Sequence, residues 1–323
     1  MQVPVVKRQN IVEQEMGVHP FYDKLYLMKK LHNLLAPLYL FICLNLFCLH
    51  PVSGQNTNKK PKALLWEISG NGLAKPSYLF GTIHAICPDV FVLPDQVKAK
   101  LQTSEQLALE IDMDDPKFMS AIQQGALMSS GGIRDLYTEE QYKVLHSYFT
   151  QTMHIDISQL DKMKPFMLNS MLMMQMTDCQ PESYEQTLLT LAKAQGKEVI
   201  GVETVQEQIK AFDNIPYKVQ AEMLLESVTE MDKAKANYKK MVQLYLAQDL
   251  YGLEELLKED YKGEYDVFED ALFTQRNLNW IPVIAREAKA KATFFAVGAG
   301  HLTGEGGILE LLRQKGYTLT PVP

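Results

Sequence analysis

The sequence is short of most features that would mark its role directly. No stripe of Lys and Arg runs along it, and its net charge is -7, which argues against nucleic acid as a partner. It has no fixed-period repeat and no long low-complexity tract, so nothing points to a repeat architecture. None of its 7 histidines opens a His-Glu-x-x-His helix, so the zinc-protease site of that pattern is excluded. Cysteine is scarce, at 4 in 323 residues, and the placement of the four matters more than their number. What the chain does have is apolar residues, at 46%, enough for one large globular domain or two small ones.

The front end reads as processing sequence. Met28-Lys29-Lys30 gives a basic start, Leu34 to Leu49 an apolar run, and Val52-Ser53-Gly54 an end suited to cleavage before Gln55. Residues 28–54 are thus expected to be a signal peptide, and residues 1–27 an overcalled start upstream of it. The rival is an uncleaved membrane anchor, but the run is short and broken by Pro37 and Asn45. Cys48 follows Phe47, where a lipoprotein site wants a small residue. Once cleaved, the chain should have no membrane span and should be periplasmic, outer-membrane-associated or secreted. It would carry 27 Lys and Arg against 36 Asp and Glu, a net charge of -9. Its two remaining cysteines, Cys87 and Cys179, are either a disulfide, which export would allow, or two separate buried thiols.

Residues 55–62 read as a flexible polar leader, and 63–323 as one domain. Ala63–Ile68 and Tyr78–Phe80 are strand candidates that could pair as a hairpin across Ser69-Gly70-Asn71-Gly72. A helix over Val92–Thr103, with Pro94 near its start, precedes the apolar strand Gln106–Ile111. Thr138-Glu139-Glu140-Gln141 has capping-box spacing, and Ser158–Asp161 is a weaker match for the next helix. That next helix carries Met163, Met167, Met171, Met173, Met174 and Met176, read as adaptable core packing or as the lining of an apolar groove. Ser183–Gln195 is a helix stopped by Gly196. Glu198–Val202 is a strand ending on Glu203, with a capping box at Thr204. Pro216–Lys258 reads as a solvated pair of helices. Phe268–Ala290 is helical, with Pro282 expected to kink or divide it. The strand Ala292–Val297, the helix Gly307–Lys315 and the strand Tyr317–Pro321 close the chain.

Two of these strands share one ending. Tyr78-Leu79-Phe80 runs into Gly81-Thr82-Ile83-His84, and Phe294–Val297 runs into Gly298-Ala299-Gly300-His301. Glycine at a strand end lets backbone approach a ligand, and histidine is the commonest metal ligand and acid/base group. Glu110 and Glu203 end two further strands. Alternation of strands and helices predicts an α/β domain, with some α+β character, around a substantially parallel central sheet. Ligands bind outside the carboxyl ends of such strands. Two histidines and two carboxylates are therefore expected on one rim, a donor set for zinc, manganese, iron or cobalt. A carboxylate left off the metal could be the general base. Each residue also has a plainer reading: turn histidines bonded to backbone, helix-capping glutamates, and an ordinary ion pair for Arg276. His146 and His154 lack partners and read as structural.

Trp66-Glu67, Leu79–His84, Leu109-Glu110, Gly201–Thr204, Arg276-Asn277 and Val297–Leu302 together resemble the TraB/PrgY/GumN family, which includes the Tiki Wnt-cleaving proteases of animals. The likeness covers nearly all of residues 63–323. It implies a fold related to erythromycin esterase and ChaN-like proteins: a central mixed sheet wrapped by helices, in two related halves. It implies a divalent-metal-dependent hydrolase, with manganese or cobalt as cofactor and zinc or iron as alternatives. His84, Glu110 and His301 inherit the central roles, with His84, His301 and Glu110 as metal ligands. Glu203 and Arg276 inherit supporting catalytic roles, and Arg276 with Asn277 is assigned to substrate binding. The expected partner is a peptide or other small extracytoplasmic substrate. The contrary expectation is a binding protein that sequesters a peptide, metal or haem without turnover.

Overall fold

Ser77–Thr82 and Thr293–Gly298 are buried at all 6 positions of each strand. Strands covered on both faces read as unbroken apolar runs, and both do so in the sequence. In the computed structural model, which describes residues 61–260 and 269–323, these two strands pair in parallel at the middle of a six-stranded sheet. Residues 1–27, the expected signal at 28–54 and most of the leader lie outside the described residues. The described residues all fall in one compact unit, Asn58–Pro323. Among them, no helix is long and apolar enough to cross a membrane.

The elements run β1 (Leu65–Gly70), β2 (Ser77–Thr82), α1 (Asp95–Thr103), β3 (Gln106–Ile111), α2 (Phe118–Gly125), α3 (Glu139–Gln151), α4 (Pro165–Met176), α5 (Tyr184–Ala194) and β4 (Glu198–Glu203). There follow α6 (Val205–Asp213), α7 (Tyr217–Thr229), α8 (Met231–Leu246), α9 (Leu250–Asp260), α10 (Gln275–Ala290), β5 (Thr293–Gly298), α11 (Ile308–Gln314) and β6 (Tyr317–Pro321). The sheet order is β4-β3-β5-β2-β1-β6. Strands β4, β3, β5 and β2 are mutually parallel; β1 joins β2 and β6 antiparallel. The fold is thus α/β on a mixed sheet, and the expected hairpin is β1–β2. Its first strand sits two residues later than expected, because Gly70, at φ 77, is the last strand residue before the turn.

One core cluster covers the sheet, with Trp66, Leu79, Trp280, Phe294 and Phe295 buried within it. A second lies among α3, α4 and α7, around Phe149, Leu168, Leu172 and Leu224. Here the methionine helix departs from the expectation. Leu168 and Leu172 are wholly buried, while Met173 and Met174 are 36% and 50% exposed. Met163 and Met171 pack against the cluster, so the methionines divide between packing and surface. Ser158 does not cap this helix. Asp156 caps a short 3-10 turn at Ile157–Leu160, and α4 starts at Pro165, whose fixed φ suits the first helical turn.

Two further boundaries differ. The stretch 216–258 makes three helices, not a pair: it breaks around Glu230 and again at Gln248, which sits at φ 55. Pro282 does not divide its helix, since α10 runs through it unbroken. Proline removes one N–H, here the partner of the Leu278 carbonyl. Leu278 is 46% exposed, so water can serve that carbonyl and the helix continues.

Candidate active site

Because four neighbouring strands are parallel, their carboxyl ends form one rim. Glu110 is the fifth residue of β3, Glu203 the last of β4, His84 lies two residues past β2, and His301 three past β5. The rim brings all four together with Arg276 from the first turn of α10. Gly298 is the floor. An idealised Cβ placed on it would stand 3.2 Å from Glu110 Oε1, 3.6 Å from His301 Cδ2 and 3.6 Å from His84 Nε2. The glycine therefore leaves open the space that these three groups face. Its φ of -51° and ψ of 134° suit any residue, so Gly298→Ala should fold. The added methyl should still displace the Glu110 carboxylate, so any activity carried by this rim should fall about tenfold or more, checked by kcat/KM beside a thermal melt.

Arg276 organises the acidic side of the rim. Its Nε donates to Glu203 Oε1 at 3.1 Å, and Nη2 to Glu203 Oε1 at 2.5 Å and Glu110 Oε2 at 2.7 Å. Nη1 donates to the Leu272 carbonyl at 3.0 Å and to His301 Nε2 at 3.1 Å. Those bonds use all five N–H groups of a guanidinium. In this arrangement every donor of Arg276 is engaged within the protein, and the Nη1 contact with His301 is the one that an ion on His301 would release. The Leu272 carbonyl arrives from a π turn at Asp270–Thr274, just ahead of α10; such turns recur at functional sites.

Glu203 is held by three donors. It accepts from Arg276, from Trp280 Nε1 at 3.0 Å and from Gln208 Nε2 at 3.1 Å. Burial raises its pKa above the usual carboxylate value, against the pull of Arg276. It does not cap the next helix, where Thr204 and Glu207 form the capping box. Glu110 accepts from the Gly298 N–H at 2.7 Å through Oε1. Burial would raise its pKa, but the charges of His301, Arg276 and His84 and the Gly298 N–H draw it down to about 2.

The two histidines are held alike. Asn277 Nδ2 donates to the carbonyls of Gly306 at 2.8 Å and His301 at 3.2 Å. Its Oδ1 therefore faces His301 Nδ1, at 2.7 Å, and that nitrogen must carry the proton. Nε2 is left with its lone pair toward the rim. Asn277 thus orients a histidine. Burial, with the charges of Arg276 and His84, drives the His301 pKa down to about 3, so His301 is neutral near pH 7. The His84 Nδ1 lies 2.8 Å from Glu185 Oε1. Burial works against its imidazolium, but 58% of the side chain still meets solvent. The pull of Glu185 and Glu110 wins, and its pKa rises to about 9.

The donor set fits a divalent cation. His301 Nε2 and Glu110 Oε1 are 3.9 Å apart, about half an ångström wider than two tetrahedral ligands on one ion with bonds of about 2.1 Å, so the two side chains would have to close slightly on an ion. The Gly298 cradle is open to a third, His84 Nε2. As the side chains stand, no group of three or more His, Cys, Asp or Glu among the described residues is drawn together tightly enough to hold a metal. The guanidinium of Arg276 supplies the positive charge instead, and its Nη1 would have to leave His301 Nε2 for an ion to take that lone pair.

Sequence reasoning missed Glu185, Gln208 and Trp280. Glu185 stands in the first turn of α5, where an acidic residue normally signals only favourable interaction with the helix dipole. Cys87 and Cys179 are bonded to each other, with Cα atoms 5.8 Å apart across 92 residues of sequence.

Comparison with known proteins adds lineage to this geometry. The profile of the TraB/PrgY/gumN family matches residues 64–321. A Danio rerio protein named metalloprotease TIKI2 is 23% identical over 333 residues, covering 85% of this chain and 63% of its own length. Metalloprotease TIKI1 of Danio rerio is also 23% identical, over 84% of this chain and 66% of its own length. A Shigella flexneri protein, uncharacterized protein YbaP, is 28% identical over 246 residues, covering 73% of this chain and 88% of its own. The chain thus spans less than two thirds of those two animal relatives' length. No solved structure gives a significant match.

Proposed function

The chain belongs to the TraB/PrgY/gumN family, and on that premise we propose that it is an exported divalent-metal-dependent hydrolase, acting on peptides. The observation that carries the reading is the convergence of His84 Nε2, Glu110 Oε1 and His301 over Gly298. Two imidazoles and a carboxylate suit a divalent ion with a position left for water. The metalloprotease relatives support the same class of chemistry. They leave the metal open, and manganese or cobalt is our choice. The Cys87–Cys179 disulfide supports a place outside the reducing cytoplasm.

His84, His301 and Glu110 would hold the ion, which would polarise the scissile carbonyl and lower the pKa of a bound water. The rest is the work of the protein's own side chains. Asn277 keeps His301 Nε2 unprotonated, and Glu185 faces the far nitrogen of His84. Arg276 holds Glu110 by Oε2, which leaves Oε1 toward the cradle. Glu203 anchors Arg276. To accept an ion, His84 must give up its Nε2 proton, so loading should strengthen as pH rises toward 9.

The test is metal analysis of the purified mature protein, followed by assay against a peptide library. We expect a bound divalent ion, and peptide turnover that a chelator abolishes and Mn²⁺ or Co²⁺ restores. Metal binding without any turnover would favour the sequestering protein. Turnover indifferent to chelators would reject the metal.

A further inference from the structure

His84 is the most exposed of the candidate ligands, on a loop rather than within a strand, yet its ring is tied down from behind. We propose that Glu185 is the positioning residue for His84: its carboxylate keeps the proton on Nδ1 and turns Nε2 toward Glu110 and the Gly298 cradle. The inference rests on the metal-dependent reading above for its consequence, though not for its geometry.

Every acceptor of the Glu185 carboxylate faces inward. Oε1 accepts from Thr82 Oγ1 at 2.6 Å and lies 2.8 Å from His84 Nδ1; Oε2 accepts from Ser183 Oγ at 2.7 Å. Only 10% of its side chain is exposed. A carboxylate present simply for the helix dipole has no need to leave water. Burying it is costly unless a cation or several donors meet it, and the donors that meet it include the imidazole.

The surrounding chain is fastened so that this contact holds. Thr82 precedes His84 by two residues and binds the same oxygen. On the other side, Ile86 exchanges backbone hydrogen bonds with Glu182, N–H to carbonyl at 3.1 and 2.8 Å. One residue further, Cys87 is bonded to Cys179. The loop that carries His84 is thus pinned before and after the histidine to the single segment that ends in Glu185. A disulfide this near restricts how far the loop can drift from the carboxylate.

The comparison within the site is the strongest argument. His301 is fixed through Nδ1 by the Asn277 Oδ1, and His84 through Nδ1 by Glu185. Once His84 is neutral, both imidazoles offer the same nitrogen, Nε2, to one cradle. An unassisted neutral imidazole prefers its proton on Nε2, the wrong nitrogen for ligation here. A carboxylate behind a ligating histidine fixes ring and tautomer and makes the ligand more basic.

The experiment reads the tautomer directly. Metal-free protein labelled with ¹⁵N would be studied by long-range proton–nitrogen NMR, at a pH where His84 is neutral. The variants are Glu185→Met, which fills the volume without an acceptor, and Glu185→Gln, whose amide oxygen can still accept from Nδ1–H. The wild type and Glu185→Gln should show His84 protonated on Nδ1, and Glu185→Met should shift it to Nε2. Titration with Mn²⁺ should show Glu185→Met binding about 10–100-fold more weakly, with Glu185→Gln recovering most of that loss. A His84 that keeps its proton on Nδ1 in Glu185→Met overturns the proposal, as does unchanged Mn²⁺ affinity in that variant. Should Glu185→Met not fold, an Nε2-protonated His84 in Glu185→Gln would overturn it, and Nδ1 protonation there would uphold it. If the wild type binds no Mn²⁺, the metal reading fails, while the tautomer shift still decides the part played by Glu185.

Discussion

Glu110→Gln is expected to cut peptide turnover by a factor of about 10³, as befits losing several kcal/mol of charge stabilisation at a metal. The two side chains have the same shape, so the loss would come from chemistry rather than volume. Glu110 Oε1 accepts from the Gly298 N–H, and Oε2 from Arg276 Nη2. An amide has one acceptor and one donor. With its oxygen toward Gly298, its NH₂ meets the Arg276 N–H; turned round, it meets the Gly298 N–H. One donor–donor conflict is unavoidable, and in a site this buried it should cost about 1–3 kcal/mol of stability as well. The change also removes the carboxylate from the proposed ligand set, so on that reading metal content should fall with activity. Both can be read on one preparation, kcat/KM by assay and metal by elemental analysis. If the variant keeps activity within about tenfold of wild type and holds its metal, Glu110 is not the central carboxylate and the proposed site is wrong.

How far the sequence alone could reach follows from which signals are local. The strand ends are local: an apolar run closing on Gly81 or Gly298 with a histidine three residues later can be read without knowing the fold. The rim then follows from the parallel pairing of β2, β5, β3 and β4. What could not be read depends on contacts between distant segments. Glu185 meets His84 across 101 residues, and by itself it is an ordinary acidic residue in the first turn of a helix capped by Ser183. The sequence does not show that Arg276 is tied to Glu110, Glu203, Leu272 and His301, which lie 166, 73, 4 and 25 residues away. The Met-rich helix misled for a different reason: Met and Leu alternate in it, and pattern alone does not say that Leu168 and Leu172 take the interior. At Pro282 the sequence leaves a kink and a break both open, and whether the helix divides depends on whether the freed carbonyl is wet.

Removing Arg276 should have the largest effect on the fold, and the sign of its pH dependence identifies the cause. Arg276 is 6% exposed and stands between Glu110 and Glu203. Arg276→Met keeps an apolar side chain of similar reach but leaves two buried carboxylates facing each other. Breaking one partner out of a buried ionic group costs about 3–5 kcal/mol, to be measured by urea unfolding of metal-free protein near pH 7. In the wild type, acid should be destabilising. His301 has its pKa lowered from 6.5 to about 3, so the unfolded chain takes up that proton first as pH falls below 6.5. Glu110, lowered from 4.5 to about 2, acts the same way; its stabilising contribution is complete above 4.5 and lost toward 2. In Arg276→Met both carboxylates lose that cation: burial pushes the pKa of Glu203, already raised in the wild type, higher still, and lifts that of Glu110. The folded state then binds protons before the unfolded one does, and stability is gained as pH falls through those raised values. The gap between variant and wild type should therefore narrow between about pH 7 and pH 5. A gap that stays constant over that range, or that is below about 1 kcal/mol throughout, would mean that Arg276 is not the cation holding the two carboxylates in place.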